Sequence, residues 1–319
     1  MDEELIGGLV NRFPEILHTN VRLSDISQWR TGGVADVIIR PKSIASYLDV
    51  QAYFRRAGTT PIVIGSTSNL LFSDRGLRCP CIQIGPWFAS TRVTRDTICA
   101  ESGVSAQRLA RISMSLGYRD LAHIVGIPGT LGGLIYMNGG SCRQSISSSL
   151  AAITSVDKEG KCLEKQPGEI GFAHRWSGFQ SNGEFIASAT LQLNDHVGRS
   201  VARKEMLSIL RSRRLKFPLQ QPNCGSTFVS DPTLYERVGP PGKIIEELGF
   251  KGYRVGGAQV SERHANFIVN CGGALSADIL SLIHIIRTRV YEETGHLLAA
   301  EVRYVDENGI FSPAHKVLN

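Results

Sequence analysis

The alternation of apolar and polar positions predicts a strand, a helix and a second strand early in the chain. The β-rich run Val37–Arg40 ends at a proline, as strands often do, and Ser43 is a good N-cap for a helix that stops at Gly58. Pro61–Ile64 has the composition of a second strand. This β-α-β unit runs directly into Gly65–Asn69, so the pattern predicts a strand that ends in a loop of small residues.

The pattern continues to the end of the chain. It predicts further helices at Gln107–Leu116, Val201–Arg213, Lys243–Leu248 and Ala277–Glu293. It predicts strands at Val93–Ala100, in short pieces from Ile153 to about Asn194, at Asn266–Asn270 and at Glu301–Val305. The longest helix carries apolar residues at helical spacing, which core packing explains. Pro218 and Pro222 break the chain after the second of these helices and indicate a domain boundary there.

Composition is typical of a globular protein with more than one domain. The chain has 319 residues, of which 42% are hydrophobic and 20% charged, and domains usually span about 100–200 residues. The net charge of +6 is mild and spread along the chain, which argues against a nucleic-acid-binding arm. One basic run stands out, at Arg211, Arg213, Arg214 and Lys216. It is either a solvated helix face or a local field that favours an anionic ligand.

The seven cysteines are odd in number and irregular in spacing, so they fit neither a disulfide framework nor a zinc site. We expect reduced thiols, which are typical of a cytoplasmic protein. The chain begins Met1-Asp2-Glu3-Glu4, whereas a signal peptide begins with basic residues, and no apolar run approaches the ~20 residues of a membrane helix. We therefore expect a cytoplasmic protein with no metal, no membrane association and no obligate protein partner.

Three segments rich in small residues, Arg30–Gly33, Gly65–Asn69 and Gly126–Gly133, have the character of a phosphate-binding site. Small residues let backbone N–H groups approach phosphate oxygens closely, and glycines permit positive φ. Neither Gly65–Asn69 nor Gly126–Gly133 has the Gly-x-Gly-x-x-Gly pattern of a Rossmann site. A pyrophosphate held between two loops is the better interpretation, and it favours a flavin over a nicotinamide as the resident cofactor. A simple turn is the alternative for each segment taken alone.

A series of motifs extends from about Arg30 to Val305. In chain order they are Arg30-Thr-Gly-Gly33; Gly65-x-x-Ser-Asn-Leu-Leu71 with Asp74 and Gly76; Gly126-Ile-Pro-Gly-Thr-Leu-Gly-Gly133 with Asn138; Phe172-x-x-Arg175-x-Ser177; Gly225-Ser-Thr-Phe228; Gly252 through Ser261; His264-Ala-Asn-Phe-Ile-Val-Asn270; and Glu301-Val302. Together they resemble the UDP-N-acetylenolpyruvoylglucosamine reductase family, also called MurB, in its shorter type. The Gly-Ile-Pro-Gly and His-Ala-Asn-Phe motifs rarely occur together elsewhere.

The resemblance implies an α+β protein that binds FAD and reduces a UDP sugar. It implies a two-lobed FAD-binding domain of the vanillyl-alcohol-oxidase/PCMH type, expected at residues 1–85 and 86–214, and a C-terminal α+β substrate-binding domain, expected at residues 215–319. The implied enzyme is a UDP-N-acetylmuramate dehydrogenase that uses NADPH to reduce UDP-N-acetylglucosamine enolpyruvate for peptidoglycan synthesis, and hence for cell shape and division. The implied flavin contacts are Arg30, Thr31, Gly32, Gly33, Gly65, Ser66, Thr67, Ser68, Asn69, Leu70, Gly126, Ile127, Pro128, Gly129, Thr130, Gly132, Gly133 and Asn138.

The resemblance also implies three catalytic side chains. Arg175 matches the arginine that pairs with the substrate carboxylate, and a planar guanidinium can hold both oxygens as charge accumulates. Glu301 matches a second polarising group, whose pKa should be raised near a carboxylate. Ser226 matches the proton donor. Without the motifs, these residues would be read as a surface salt bridge, an edge-strand glutamate and a turn serine.

The implied substrate contacts are His174, Ser230, Lys251, Arg254, His264 and Asn266. The chain departs from the family pattern in four places: Thr67 replaces a glycine, His174 replaces a tyrosine, Val229-Ser-Asp-Pro232 replaces Lys-Asn-Pro, and Ala299 replaces a glutamate. The second and third departures leave the exact substrate open. A flavin oxidoreductase of the same fold with another substrate is the alternative, although Gly65–Leu71 offers no histidine or cysteine to tether FAD. A non-catalytic relative is a further alternative, and the presence of all three catalytic residues speaks against it.

Overall fold

Helices and strands are interspersed in the computed structural model, which describes residues 3–231, 235 and 237–318. Within these residues the helices are α1 (Glu3–Arg12), α2 (Leu23–Ile26), α3 (Ile44–Arg56), α4 (Ala106–Ser115), α5 (Leu131–Tyr136), α6 (Phe179–Asn182), α7 (Arg199–Lys216), α8 (Pro241–Glu247) and α9 (Ser276–Thr294). The strands are β1 (Leu17–Arg22), β2 (Val34–Ile39), β3 (Ile62–Ile64), β4 (Leu70–Phe72), β5 (Cys81–Gln83), β6 (Thr91–Val93), β7 (Thr97–Glu101), β8 (Leu150–Val156), β9 (Cys162–Lys165), β10 (Phe185–Gln192), β11 (Arg254–Val255), β12 (Ala258–Val260), β13 (Ile268–Asn270), β14 (Arg303–Val305) and β15 (Phe311–Pro313). This mixture confirms the predicted α+β class.

The first sheet has the strand order β1-β2-β5-β3. Helix α3 connects β2 to β3 and begins at Ser43, whose side chain accepts a hydrogen bond from the Ser46 N–H at 3.1 Å. The β-α-β unit therefore forms, but β5 lies between its two strands and pairs in parallel with both of them. The prediction missed β5 because a strand of three residues is too short to show a period.

The second sheet has the order β6-β7-β10-β8-β9 and is antiparallel throughout. Helix α4 begins after Ser105, which caps it, one residue before the predicted start. The predicted strand Val93–Ala100 is wrong as a single unit: it is divided between β6 and β7, which pair as a hairpin around a turn. Helix α7 extends beyond its predicted bounds at both ends.

The C-terminal part of the chain combines the antiparallel sheet β11-β12-β13 with α8 and α9. The apolar stripe of α9 is buried, which confirms its predicted role in the core; it consists of Ile279, Leu282, Ile283, Ile286 and Val290. Trp29 from the N-terminal part joins this core, and its indole N–H donates to Ile268 O at 2.8 Å. The predicted strand at 266–270 begins only at Ile268.

The end of the chain returns to the N-terminal part of the protein. Strand β14 pairs in parallel with β4 and antiparallel with β15. The predicted strand Glu301–Val305 therefore begins two residues late, and Glu301 precedes it. Among the helices of the described residues, none combines the length and apolar character that a membrane span requires.

Candidate active site

The two glycine-rich loops, Gly65–Asn69 (the first loop) and Gly126–Gly133 (the second loop), lie against each other; the first follows β3 and the second leads into α5. A Cβ atom added at Gly65 would lie 3.0 Å from the Thr130 hydroxyl oxygen, and one added at Gly129 would lie 3.7 Å from the Ser68 hydroxyl oxygen. Thr130 caps α5, because its side chain accepts a hydrogen bond from the Gly133 N–H at 3.4 Å. The first loop also carries the implied contact Ser66, and the second carries Gly126, Ile127, Pro128 and Gly132. The implied contact Leu70 follows the first loop and begins β4. Residues expected to hold one pyrophosphate from two loops are therefore neighbours.

The segment Arg30–Gly33 follows directly on residues that are hydrogen-bonded to the first loop through Thr67. The Thr67 hydroxyl donates to Ile26 O at 3.0 Å and accepts a hydrogen bond from the Gln28 N–H at 3.2 Å. Thr67 has a φ of 58°, which is the left-handed conformation that glycine adopts most easily. The threonine that replaces the usual glycine thus keeps the glycine-like backbone and adds a link between two segments.

Several buried polar atoms in this region have no hydrogen-bond partner among the described residues. They are Thr31 Oγ1, Ser102 Oγ, Asn138 Oδ1 and Thr227 Oγ1. Ser102 lies against the second loop, since its Cβ would be 2.9 Å from a Cβ added at Gly132. Buried polar groups are normally hydrogen-bonded, so this set of donors and acceptors fits a polar ligand such as a flavin dinucleotide. Nothing in the sequence singled out Ser102, and Thr227 appeared only as part of the Gly225-Ser-Thr-Phe228 motif.

Arg175 lies at the tip of a tight turn that begins at Ala173 and ends at Trp176. These two end residues exchange both backbone hydrogen bonds at 3.1 Å, and Arg175 has a φ of 56°. The Asn138 side-chain amide donates to Ala173 O at 2.9 Å, and the Gln180 amide donates to Arg175 O at 3.2 Å. The turn is thus held from two sides, which limits the positions open to the guanidinium.

The Arg175 guanidinium and the Glu301 carboxylate form an ion pair. Arg175 Nε lies 2.9 Å from Glu301 Oε1, and the two side chains are 32% and 15% exposed. Burial raises the pKa of Glu301, and the neighbouring Arg175 and His174 partly oppose that rise. Glu301 therefore differs from an edge-strand glutamate in solvent, because it holds its proton more readily than a carboxyl group in water.

The segment Gly225–Phe228, here called the Ser226 segment, is fixed by Asn266. The Asn266 side chain accepts a hydrogen bond from the Phe228 N–H and donates one to Phe228 O, both at 2.9 Å. Asn266 is 4% exposed, so this implied substrate contact has its amide committed to the backbone. Next to Ser226, Thr227 O accepts a hydrogen bond from the Glu301 N–H at 2.8 Å. Two of the three expected catalytic residues are thereby tied to one another through the backbone.

Lys251 and His264, two of the implied substrate contacts, lie in one charged cluster. Lys251 Nζ lies 2.6 Å from Glu246 Oε1. Burial lowers the pKa of His264, and the positive charges of Lys251 and Lys216 lower it further, against the opposing charge of Glu246. Lys216, the last residue of the basic run, is therefore close enough to His264 to lower its pKa, so one end of that run contributes positive charge beside this implied substrate contact.

The other implied substrate contacts are placed apart from this cluster. Arg254 lines a surface cavity of about 470 Å³ together with Gln221, Gln259, Glu262, Arg263 and Cys271. The Ser230 hydroxyl is hydrogen-bonded to the Tyr235 hydroxyl. His174 is exposed and is close enough to Glu301 to influence its pKa. Pro232, the last residue of the altered segment, lies outside the described residues.

His123, which precedes the second loop, is a buried titratable residue that the sequence did not single out. It is 1% exposed, and neither ring nitrogen has a partner among the described residues. Burial lowers the pKa of His123 to about 4, against an opposing effect of Asp120. Arg213 lies against the same loop, where its Nη2 donates to Gly126 O at 3.1 Å. A solvated helix face therefore describes Arg211 and Arg214, which are exposed, but not Arg213.

Two family models match the chain. One is described as "UDP-N-acetylenolpyruvoylglucosamine reductase, C-terminal domain" and matches residues 217–305. The other is described as "FAD binding domain" and matches residues 35–165. Together they confirm the expected combination of an FAD-binding domain with a C-terminal domain of this family, whereas the exact domain boundaries stay predictions.

Individual relatives extend this similarity to nearly the whole chain. UDP-N-acetylenolpyruvoylglucosamine reductase 1 of Corynebacterium glutamicum is 40% identical over 318 residues, which is 99% of this chain and 94% of that protein. The reductase of Heliobacterium modesticaldum is 35% identical and covers 90% of each chain. The crystal structure of MurB from Thermus caldophilus has a TM-score of 0.75 at 26% identity and covers 89% of this chain and 97% of that one. The chain therefore belongs to the UDP-N-acetylenolpyruvoylglucosamine reductase (MurB) family.

Proposed function

We propose that this chain catalyses the FAD-dependent, NADPH-driven reduction of UDP-N-acetylglucosamine enolpyruvate to UDP-N-acetylmuramate. Beyond family membership, one observation supports this most strongly: Arg175 and the largely buried Glu301 meet at 2.9 Å, and the Glu301 backbone is bonded to the Ser226 segment. An enolpyruvyl ether is electron-rich, so its double bond accepts hydride only when its carboxylate is made an electron sink. A guanidinium and a protonated carboxyl group are suited to that task.

The three small-residue segments Arg30–Gly33, Gly65–Asn69 and Gly126–Gly133 are the residues that would hold FAD. Their small side chains let backbone N–H groups approach a pyrophosphate. Thr31 Oγ1 and Asn138 Oδ1, which have no hydrogen-bond partner among the described residues, supply a hydroxyl and an amide oxygen for the polar parts of the cofactor. When bound, FAD supplies the hydride chemistry, with NADPH as its reductant.

Arg175 and Glu301 act together on the substrate carboxylate. The exposed part of the Arg175 side chain holds this carboxylate and stabilises the charge that accumulates on it during hydride addition. Burial raises the pKa of Glu301. When the substrate carboxylate binds at Arg175 and adds a second negative charge, the protonated form of Glu301 donates a hydrogen bond to the developing enolate. The turn from Ala173 to Trp176 keeps the guanidinium oriented for this contact.

Ser226 donates the proton that completes the reaction at C2 of the former double bond. A serine hydroxyl is a weak acid, but the acceptor carbon is strongly basic, so the proton transfer is favourable. Ser226→Ala should therefore leave reduction of FAD by NADPH intact and slow reoxidation by the enolpyruvyl sugar by about 10²–10⁴-fold. Anaerobic stopped-flow absorbance measures the two half-reactions separately. An equal loss in both would contradict the role of Ser226.

A second candidate function is reduction of a related nucleotide sugar by the same machinery. It is favoured by His174, which replaces the family tyrosine and lies exposed next to Glu301, and by the Ser230–Tyr235 hydrogen bond in the altered segment. Both departures fall on residues implied to contact substrate. Reoxidation of the reduced protein by another nucleotide sugar, but not by the enolpyruvyl compound, would select this candidate.

The proposed reaction places the protein in peptidoglycan precursor synthesis, on which cell shape and cell division depend. Its substrate is a nucleotide sugar, so we place the enzyme in the cytoplasm. The seven cysteines support this location, because each of them is a free thiol in the structure.

A further inference from the structure

Asn69, in the first loop, is hydrogen-bonded to the backbone of Glu301 through its side chain and to the backbone of Arg303 through its carbonyl. Its side-chain amide donates to Glu301 O at 3.1 Å, and its own carbonyl accepts a hydrogen bond from the Arg303 N–H at 3.0 Å. The parallel pairing of β4 with β14 begins at this point. The Asn69 amide thus holds the backbone of the expected catalytic glutamate.

The same loop also supports the Ser226 segment. The Cys224 thiol lies 3.5 Å from both Thr67 O and Leu70 O, and Cys224 is 4% exposed. Ser226 follows Cys224 by two residues, so the backbone that carries the proton donor is anchored in the first loop. Cys224 is a neutral thiol here, because burial raises its pKa well above the ordinary range.

Thr67 makes this loop a rigid support. It is 3% exposed, its backbone is left-handed, and its hydroxyl is bonded to Ile26 and Gln28. Because this loop is fixed, the groups that are hydrogen-bonded to it, Glu301 O and the Cys224 thiol, are fixed as well. Asn69 and Cys224 are the residues that make those bonds.

We propose that Asn69 is a positioning residue for Glu301, and that the loop from Gly65 to Leu70 supports the chemistry of the reaction as well as the cofactor. Asn69 then holds FAD through its backbone alone, because its side-chain amide is directed to Glu301 O. The side chain therefore contributes to the rate of the substrate half-reaction and little to FAD affinity. This inference rests on the proposed function only for the choice of substrate, since the hydrogen bonds that carry it are independent of it.

The test is Asn69→Ala in the full-length holoenzyme. Reoxidation of the NADPH-reduced protein by the enolpyruvyl sugar should slow by about 10–100-fold, because a small displacement of a catalytic group has effects of this size. Reduction by NADPH and the FAD dissociation constant should stay within about threefold of wild type. Met137→Leu is the matched control. It removes the other acceptor of the Asn69 amide, Met137 Sδ at 3.9 Å, but leaves the bond to Glu301 O, so both half-reactions and the FAD dissociation constant should be unchanged.

Amide hydrogen exchange at Glu301 and Arg303 gives a readout that does not depend on the substrate. Exchange at both positions should be faster in Asn69→Ala than in Met137→Leu. Asn69→Leu has a similar size, no donor and no charge, so it should behave as Asn69→Ala does. It keeps the inference testable if Asn69→Ala does not fold.

Three outcomes would overturn the inference. They are a loss of FAD affinity with a normal reoxidation rate in the bound enzyme, an equal slowing of both half-reactions, and unchanged exchange at Glu301 and Arg303. Failure of the proposed function is distinguishable from all three, because it would appear as wild-type protein that the enolpyruvyl sugar does not reoxidise.

Discussion

Two buried polar side chains, Asn266 and His123, show how differently two parts of this molecule are built. The Asn266 amide makes two hydrogen bonds of 2.9 Å to the Phe228 backbone, whereas neither ring nitrogen of His123 has a partner among the described residues. A buried polar group without a partner lowers stability by roughly 1–3 kcal/mol, and a satisfied one fixes its surroundings. The Ser226 segment is therefore held firmly, while the turn before the second glycine-rich loop contains a weak point.

The largest effect is expected from breaking the satisfied region. Asn266→Ala leaves the Phe228 N–H and C=O unpaired in a buried position, so the free energy of unfolding should fall by about 3 kcal/mol. The substrate half-reaction should slow as well, because the Ser226 segment is released. Denaturant unfolding measures the first effect. The control is Asn308→Ala, in an exposed turn, which should change the free energy of unfolding by less than about 0.5 kcal/mol. An equally small change in Asn266→Ala would show that the Asn266 amide does not hold the Ser226 segment.

The next effect is expected from repairing the weak point. The pKa of His123 is about 4 in the folded protein, below its ordinary value of 6.5. Between these values the unfolded chain binds a proton that the folded chain does not, so stability is full above about pH 6.5 and falls as the pH drops towards 4. His123→Phe removes this loss and the two unpaired nitrogens. It should raise the free energy of unfolding by about 1–3 kcal/mol at pH 5 and by less at pH 8.

Denaturant unfolding of wild type and His123→Phe at the two pH values checks this prediction. The measurement at pH 8 is the internal control, because the proton-linked part of the gain is absent there. Equal stability of the two proteins at pH 5 would show that the histidine is satisfied after all, and the contrast with Asn266 would then disappear.

The smallest effect is expected at Thr67, whose hydroxyl is hydrogen-bonded but whose backbone is left-handed. Thr67→Gly relieves the left-handed strain but removes the bonds to Ile26 and Gln28, and we expect a net loss of about 1 kcal/mol in unfolding free energy. Thr67→Ser keeps the hydroxyl and should be as stable as wild type. If the glycine and serine variants unfold alike, the hydroxyl bonds contribute nothing.

The fold was predictable from sequence where elements are long and periodic. Helix α9 carries a buried stripe over 19 residues, and α3 has a capping serine, so both were found close to their true bounds. Strands β4, β5 and β15 have three residues each, which is too short for a period to appear. The pairing of β14 with β4 joins distant parts of the chain, and only tertiary packing determines it.

The site was predictable only as a set of motifs, because a motif does not determine which partner a side chain is directed towards. The sequence implied that Asn266 and Asn69 face ligands, whereas the structure directs the amide of Asn266 to Phe228 and that of Asn69 to Glu301. His123 had no pattern to mark it, since a single histidine beside apolar residues is common in cores. Burial and hydrogen bonding decide such residues, and both depend on contacts far along the chain.

We propose that Arg175, Glu301 and the Ser226 segment make an enolpyruvyl sugar accept hydride from bound flavin. The most direct measurement is anaerobic mixing of the NADPH-reduced protein with UDP-N-acetylglucosamine enolpyruvate, followed by absorbance of the flavin and identification of the product. We predict rapid return of the oxidised flavin spectrum together with one UDP-N-acetylmuramate for each flavin. A reduced flavin that stays reduced in the presence of this sugar, or a purified protein that binds no flavin at all, would contradict the proposed function.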